Sequence, residues 1–336
     1  MENAKAVTFA KYGAPLEVTP LVLRELKPNQ LIIKVYASSL NPVDFKRKKG
    51  YTKMLMKDHF PAMICFDVAG TVEKIGADVK EFTVGQRVCA RSRDSGTLAE
   101  FCIVDEDVTA HLPESIDFIK AAAVPLAAQT ALQSLRQGKL QKGQTIFISG
   151  GAGGVGTYAI QLAKHVFGAS KVVTTCSAAK TEFCKSLGAD ECIDYTKEDP
   201  YHAKNGPYDV CFDTVGDARK MGGAMIKPGG FVISVASVPD PGTFDRIGKE
   251  TPFLLRLGLT IGSIRERWGA SPGTYFYLLL NPNAEDLTAL VGYMKDGKMI
   301  SCIDSVFDGL EKGADAFERL ETGRAKGKVV VSVRKE

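Results

Sequence analysis

Residues 145–164, Thr-Ile-Phe-Ile-Ser-Gly-Gly-Ala-Gly-Gly-Val-Gly-Thr-Tyr-Ala-Ile-Gln-Leu-Ala-Lys, constrain the fold of this chain more than any other stretch. The apolar run 145–148 predicts a buried strand. Val155, Tyr158, Ala159, Leu162, Ala163 and Val166 then recur at helical spacing and predict a helix with one apolar face. Between them Gly151, Gly153 and Gly156 fill the three glycine positions of a dinucleotide-binding turn, with Gly154 and Val155 opening the helix. The first glycine is expected to allow a tight turn. The second lets a pyrophosphate approach the backbone, and the third lets the helix pack close to the strand. The N–H groups and positive end of the helix then face the phosphates. A flexible turn between a strand and a helix is the alternative. The strand before and the helix after favour the dinucleotide reading.

This stretch begins near the middle of 336 residues, a length that suggests two domains and ample core. The net charge of +4 is too mild to argue for nucleic acid or membrane binding. The one dense basic run, Phe45-Lys46-Arg47-Lys48-Lys49, reads as a solvated loop. None of the eight cysteines forms a Cys-x-x-Cys pair, and they read as reduced, mostly buried thiols. No apolar run reaches membrane-spanning length, and no secretory or mitochondrial presequence is expected, so a cytoplasmic location is the default.

Before the glycine turn, strand-like runs at residues 4–10, 30–38, 68–75, 87–90 and 97–104 are punctuated by Gly and Pro, and Asn41-Pro42-Val43-Asp44 reads as a turn. The first ~110 residues are therefore expected to form a β-rich, barrel-like domain. Residues 130–137 carry a helical pattern. From residue 145 strands and helices alternate, with strands at 171–175, 191–193, 208–213 and 230–235, helices at 178–187 and 217–225, and a possible sixth strand at 259–264. This alternation predicts an α/β doubly wound parallel sheet. The segment 237–258 is long for a connection and is expected to contain a helix that covers the ligand crevice. Helices at 285–295 and 314–321 and a closing strand at 329–333 follow.

The order of short motifs carries a resemblance. They are Asn41-Pro42-Val43-Asp44-Phe45-Lys46, Cys65-Phe66-Asp67-Val68-Ala69-Gly70, Val84-Gly85-Gln86-Arg87-Val88, Gly96-Thr97-Leu98-Ala99-Glu100-Phe101, the glycine turn, Leu187-Gly188-Ala189-Asp190 and Gly327-Lys328-Val329-Val330. Over essentially its whole length the chain resembles the medium-chain dehydrogenase/reductase superfamily, and within it the zinc-free quinone oxidoreductases and the alkenal/enone reductases. The resemblance implies a GroES-like catalytic domain at 1–126, a Rossmann domain binding NADP(H) at 127–266 and a return to the catalytic domain at 267–336. It also implies a homodimer.

Zinc-dependent members place a cysteine where this chain has Asn41 and a His-Glu pair where it has Phe66-Asp67, so no metal ligand is assigned; His59 and Cys65 are the nearest fragments of a site. An NAD-selective domain carries Asp or Glu about twenty residues after the glycine turn. Here no carboxylate follows the second strand before Glu182, whereas Ser177 and Lys180 can bond a phosphate, which favours NADPH. Tyr195 matches a family position beside that phosphate, with a core aromatic as the alternative. Asn41 and Thr130 match positions near the nicotinamide, and Val215 and Ala236 follow the fourth and fifth strands, at the sheet edge that binds ligands. Asn41 is equally a turn residue before Pro42, and Thr130 equally a helix residue.

The expected activity is transfer of hydride from NADPH to a quinone or another electron-poor alkene. Lys46 is the candidate donor to the acceptor's carbonyl oxygen; a solvent lysine is the equal alternative. Strict reduction of enones is one competing reading. A non-catalytic role in binding NADPH or nucleic acid, as in zeta-crystallin relatives, is the other, and the basic run is its only support.

Overall fold

A computed structural model describes residues 3–53, 58–202, 206–248 and 250–335. The chain divides into two units, Met1–Gln129 with Pro282–Glu336, and Thr130–Asn281. The division thus falls at 129/130 and 281/282, where the resemblance implied 126/127 and 266/267.

The first unit is mostly antiparallel. Strands β1 Lys5–Phe9, β2 Glu17–Pro20 and β4 Ala62–Met63 form one sheet in the order β2-β1-β4. The larger sheet has the order β15-β16-β3-β5-β6-β8, built from β3 Gln30–Leu40, β5 Asp67–Ile75, β6 Arg87–Arg91, β8 Thr109–His111, β15 Ile303–Asp308 and β16 Lys328–Ser332. Strand β7, Phe101–Asp105, pairs with β3 outside that path. It is shorter than the run 97–104, of which Ala99 makes only an isolated bridge to Ala6. Val7, Phe9, Leu40, Ile64, Leu98, Val329 and Val331 fill one core, and Leu31, Ile33, Val68, Val88 and Val104 another. Helices α2 Phe118–Ala122, α8 Ala284–Lys295 and α9 Gly313–Glu321 complete the unit.

One segment differs from its sequence reading in a way that matters for the site. The stretch Asn41-Pro42-Val43-Asp44 is the start of a helix, α1 Pro42–Lys48. Pro42 stands in the first turn, where its missing N–H costs nothing. Asn41 is the extended residue before it, and its backbone N–H donates to the Asp44 carboxylate at 2.7 Å, the backward bond of a capping box. The basic run is accordingly not a solvated loop: Arg47 is buried on α1 and ion-paired with Asp58.

The second unit holds one parallel sheet in the order β11-β10-β9-β12-β13-β14. Its strands are β9 Thr145–Ile148, β10 Lys171–Cys176, β11 Glu191–Asp194, β12 Tyr208–Asp213, β13 Ile226–Ser234 and β14 Thr274–Tyr277. Counted within the unit this is the order 3-2-1-4-5-6 of a doubly wound fold, whose ligands sit beyond the carboxyl ends of the strands. Phe147, Val173, Cys211, Val232 and Tyr275 lie in its core. Helix α3, Pro125–Gln137, runs across the division, and α4 Gly154–Gln161 and α5 Thr181–Ser186 follow β9 and β10.

The segment 259–264 is not the sixth strand. It belongs to helices α6 Phe253–Gly262 and α7 Ile264–Gly269, and β14 takes the edge. Phe253, Leu257, Ile261, Ile264 and Trp268 recur every three or four residues, a helical seam that looks like strand alternation only in a short window. All five are exposed. The expected helix 217–225 is instead two single turns, Ala218–Lys220 and Gly223–Met225. Gly222 between them lies so close to Gly269 that a Cβ would stand 1.8 Å from its carbonyl oxygen.

Asp213, at the end of β12, fixes the ligand edge of this sheet. Its Oδ1 accepts from the Ser149 hydroxyl and from the backbone N–H groups of Val215, Gly216 and Asp217. Its Oδ2 accepts from the Ala218 N–H and the hydroxyls of Ser234 and Ser237. One buried carboxylate therefore ties together the ends of β9, β12 and β13. Asp213→Ala leaves these donors without an acceptor, and urea unfolding is expected to show a loss of about 3 kcal/mol or more. A loss under about 1 kcal/mol would mean that water replaces the carboxylate and that the hub is dispensable.

Candidate functional site

The glycine turn after β9 is shaped by close approach on three sides. Gly150 has φ +67°, a conformation that L side chains rarely adopt. At Gly151 a Cβ would stand 2.1 Å from Thr174 Oγ1 on the neighbouring strand β10. At Gly156 it would stand 2.2 Å from the Gly150 carbonyl oxygen. The left-handed residue is thus Gly150, which the spacing rule did not single out, and Gly151 is required by crowding. The turn holds itself with its own donors: Gly150 N–H to Thr175 Oγ1 at 2.8 Å, Gly151 N–H to Thr175 O at 3.0 Å and Gly153 N–H to Gly150 O at 3.0 Å. Helix α4 starts at Gly154 with Gly153 as its cap, and its hydrogen-bond ladder begins with Thr157 N–H to Gly153 O. The N–H groups of Gly154, Val155 and Gly156 precede that ladder and are the donors such a turn offers to a phosphate.

The other expected contacts in this unit lie around the same sheet edge. Ser177 follows β10 directly and opens the single turn Ala178–Lys180. Both Ser177 and Lys180 are half-buried. The first carboxylate after them in sequence is Glu182, on α5. Tyr195 follows β11 and is 58% exposed, which removes the reading of a core aromatic. Val215 is exposed in the loop held by Asp213, and the Ala236 N–H donates to Ser234 Oγ at 3.2 Å. Thr130 is buried in the middle of α3.

Asn41 and Lys46 are carried by the first unit. Lys46 is exposed on α1. Asn41 is buried, and both ends of its amide are engaged. Its Nδ2 donates to Asp67 Oδ2 at 2.8 Å, and its Oδ1 accepts from Lys328 Nζ. Lys328 Nζ also donates to Leu40 O at 2.9 Å and lies 3.4 Å from Asp67 Oδ2. Asp67 accepts further from Ser39 Oγ and the Leu126 N–H, each at 2.9 Å. Burial pushes the Lys328 ammonium below its ordinary value, against the pull of Asp67 and Asp44. Burial likewise raises Asp44 to about 7, opposed by its bond from Asn41 and assisted by the charge on Asp67.

Asp67, Lys328 and Asp213 were quoted in the sequence only as motif or strand residues. Each left a signal that was passed over: a charged residue embedded in an apolar run, Phe66-Asp67-Val68, Lys328-Val329-Val330 and Phe212-Asp213. A charge at such a position requires a buried partner or donors.

Comparison with known proteins assigns the family. Residues 27–114 match the family described as Alcohol dehydrogenase GroES-like domain, and residues 187–331 that described as Zinc-binding dehydrogenase. A 2-methylene-furan-3-one reductase of Solanum lycopersicum is 36% identical over 97% of this chain and 78% of its own length. The NADPH-dependent alkenal/one oxidoreductase, chloroplastic, of Arabidopsis thaliana is 38% identical over 98% of this chain and 80% of its own. Among solved structures, the quinone oxidoreductase from Coxiella burnetii superimposes with a TM-score of 0.84 at 32% identity, over 98% of this chain and 99% of that one. The chain belongs to the medium-chain dehydrogenase/reductase superfamily, among its quinone and alkenal/one oxidoreductases.

Proposed function

We propose that this protein is an NADPH-dependent oxidoreductase that reduces quinones or electron-poor alkenes conjugated to a carbonyl, without catalytic zinc. The observation that carries the reading is the cradle at the carboxyl edge of the parallel sheet. It consists of a glycine turn that admits no Cβ at Gly150, Gly151 or Gly156, beside a second strand that ends in Ser177 and Lys180 rather than in a carboxylate. The N–H groups of Gly154, Val155 and Gly156 would hold the pyrophosphate, and Ser177, Lys180 and Tyr195 the 2′-phosphate of the adenosine. Asn41, Thr130, Val215 and Ala236 are assigned to the nicotinamide half. When bound, the nicotinamide supplies the hydride; the protein binds and orients the two partners. A cation near the acceptor's carbonyl oxygen would stabilise the negative charge that develops there, and Lys46 is assigned that part.

Zinc independence has support of a positive kind. In the first unit a lysine ammonium already lies among the oxygens of Leu40, Asn41 and Asp67, so the buried carboxylate is neutralised by the chain itself. The names of the tomato and Arabidopsis relatives favour enone reduction as the narrower second reading. A nucleic-acid role has less support from the basic run, because two of its four cations, Arg47 and Lys49, are ion-paired with Asp58 and Glu321. The eight unpaired thiols support a reducing compartment such as the cytosol. Among the described residues no helix is long and apolar enough to cross a membrane. A homodimer is the assembly that the family resemblance implies.

Steady-state NADPH oxidation across quinones, enones and aldehydes tests the activity. Turnover with quinones and enones is expected; turnover with enones alone selects the narrower reading, and none with either class overturns both. Dialysis against a strong chelator should leave that turnover unchanged. Zinc whose loss abolishes turnover while NADPH binding is retained would contradict the reading without catalytic zinc.

Cofactor choice is read from Lys180→Ala. A charge-assisted bond to phosphate contributes about 1.5–3 kcal/mol, so NADPH binding should weaken roughly ten- to a hundredfold while NADH binding hardly changes. Equal affinity of the unmodified protein for both cofactors would sink the assignment.

Lys46→Ala should lower turnover more than it weakens acceptor binding, because the contact strengthens as charge builds. Losing one such donor costs on the order of 3 kcal/mol in a shielded site and less in an open one. Quinones are the stronger acceptors, so enones should suffer more, with NADPH affinity retained. Full turnover with both acceptor classes would leave Lys46 as a solvent lysine.

A further inference from the structure

Three cysteines of the second unit, far apart in sequence, converge at one point. Cys176 ends β10, Cys184 lies on α5 and Cys192 lies on β11. The pairing register sets Thr174 beside Cys192 and Cys176 beside Asp194, so Cys176 and Cys192 share one face of the sheet. Helix α5 covers that face and brings in Cys184. The three Sγ atoms lie within 4.8 Å of one another, the only such group of possible ligands among the described residues. Cys176 and Cys184 are buried and Cys192 half-buried. Two oxygens of Thr181 stand beside them, its Oγ1 3.8 Å from Cys176 Sγ and its carbonyl oxygen 3.7 Å from Cys192 Sγ.

We propose that Cys176, Cys184 and Cys192 form a binding site for a thiophilic d10 cation, of the class of Zn(II), Cd(II) and Cu(I). Neighbouring strands are about 4.8 Å apart and residues about 3.3 Å along a strand, so the diagonal pair Cys176 and Cys192 has its Cα atoms roughly 8 Å apart. That exceeds the ~7 Å limit for a disulfide, so those two strands cannot be bridged directly. A cation bridges them without moving the backbone. Thiolate–metal bonds of about 2.3 Å place three sulfurs nearly 4 Å from one another, within reach of the separation seen here. Soft thiolates select d10 cations of this class over the hard cations that prefer oxygen. Binding forms one metal–sulfur bond per cysteine and releases the thiol protons to solvent. The site goes beyond the proposed activity and needs no part of it. It lies outside the Asn41–Asp67 region, where zinc-dependent relatives of this superfamily place their catalytic metal. The bound cation would staple β10 to α5 and β11, at the two ends of the loop that carries Ser177 and Lys180.

The full chain, freshly reduced and free of competing thiols, is titrated with Cd(II), and the ultraviolet sulfur-to-metal charge-transfer absorption is followed. Saturation is expected at one equivalent per chain, with cadmium NMR reporting a sulfur-rich ligand set. Cys192→Ser, at a half-buried position, should lower the affinity by more than about tenfold, since loss of a ligand costs at least what loss of an outer-shell partner does. Cys302→Ser, outside the cluster, should change nothing. The absence of a saturable charge-transfer band at one equivalent, or equal affinities for the unmodified chain and Cys192→Ser, overturns the proposal.

Discussion

The buried ion pair of Lys328 with Asp67 closes the first unit. Asp67 opens β5 and Lys328 opens β16, residues more than half the chain apart that the sheet brings to either side of β3. The ammonium also draws in the end of β3 through Leu40 O, and the N-cap of α1 through Asn41 Oδ1. Asp67 in turn receives the N–H of Leu126, which fixes the entry to α3. Two charges taken out of water require several such bonds to remain ionised, and removal of one partner strands the other. The chain returns here after the whole parallel sheet has intervened, and this pair is what its last strand brings back to the first unit.

This arrangement explains which parts of the molecule could be read from the sequence. Periodicity reports which face a residue shows to the core, so the first five strands of the parallel sheet and α4 were legible, whereas β14 was not. The same rule failed where a window was too short: 259–264 borrowed two apolar residues from a longer helical seam and passed for a strand. It failed again at Asn41, where the choice between turn and helix depends on one bond from the Asn41 N–H to Asp44. At the glycine turn the spacing rule placed the fingerprint but did not single out Gly150, the residue in the left-handed conformation. Local spacing does not reveal that Thr174 crowds Gly151 from the next strand. The charge of Asp213 in an apolar run signalled a buried carboxylate, but its donors could not be read, since they come from three strand ends and meet only once the sheet has formed.

The two organising carboxylates solve the problem of burial in different ways. Asp67 is paired with a cation. The seven donors that meet Asp213 are neutral, four backbone N–H groups and three hydroxyls. Asp213 is thus satisfied by hydrogen-bond donors alone, with no positive side chain among them. It also consumes the backbone donors of the loop 215–218. The phosphate site proposed at the start of α4 has the helix dipole in its favour.

The thiol cluster fits the same logic of supply and demand. The segment between β10 and β11 carries the two residues assigned to a phosphate, and it must hold its shape without a carboxylate of its own at the end of β10. In an NAD-type domain an acid there bonds the ribose and thereby also braces the loop. Here Ser177 caps a single turn of helix, which by itself supplies few hydrogen bonds. Behind the turn stand Cys176 before it, Cys184 on α5 and Cys192 on β11. The three Sγ atoms lie within 4.8 Å of one another between these elements. With no acid at the end of β10, the loop depends on its packing against β10, α5 and β11 beneath it.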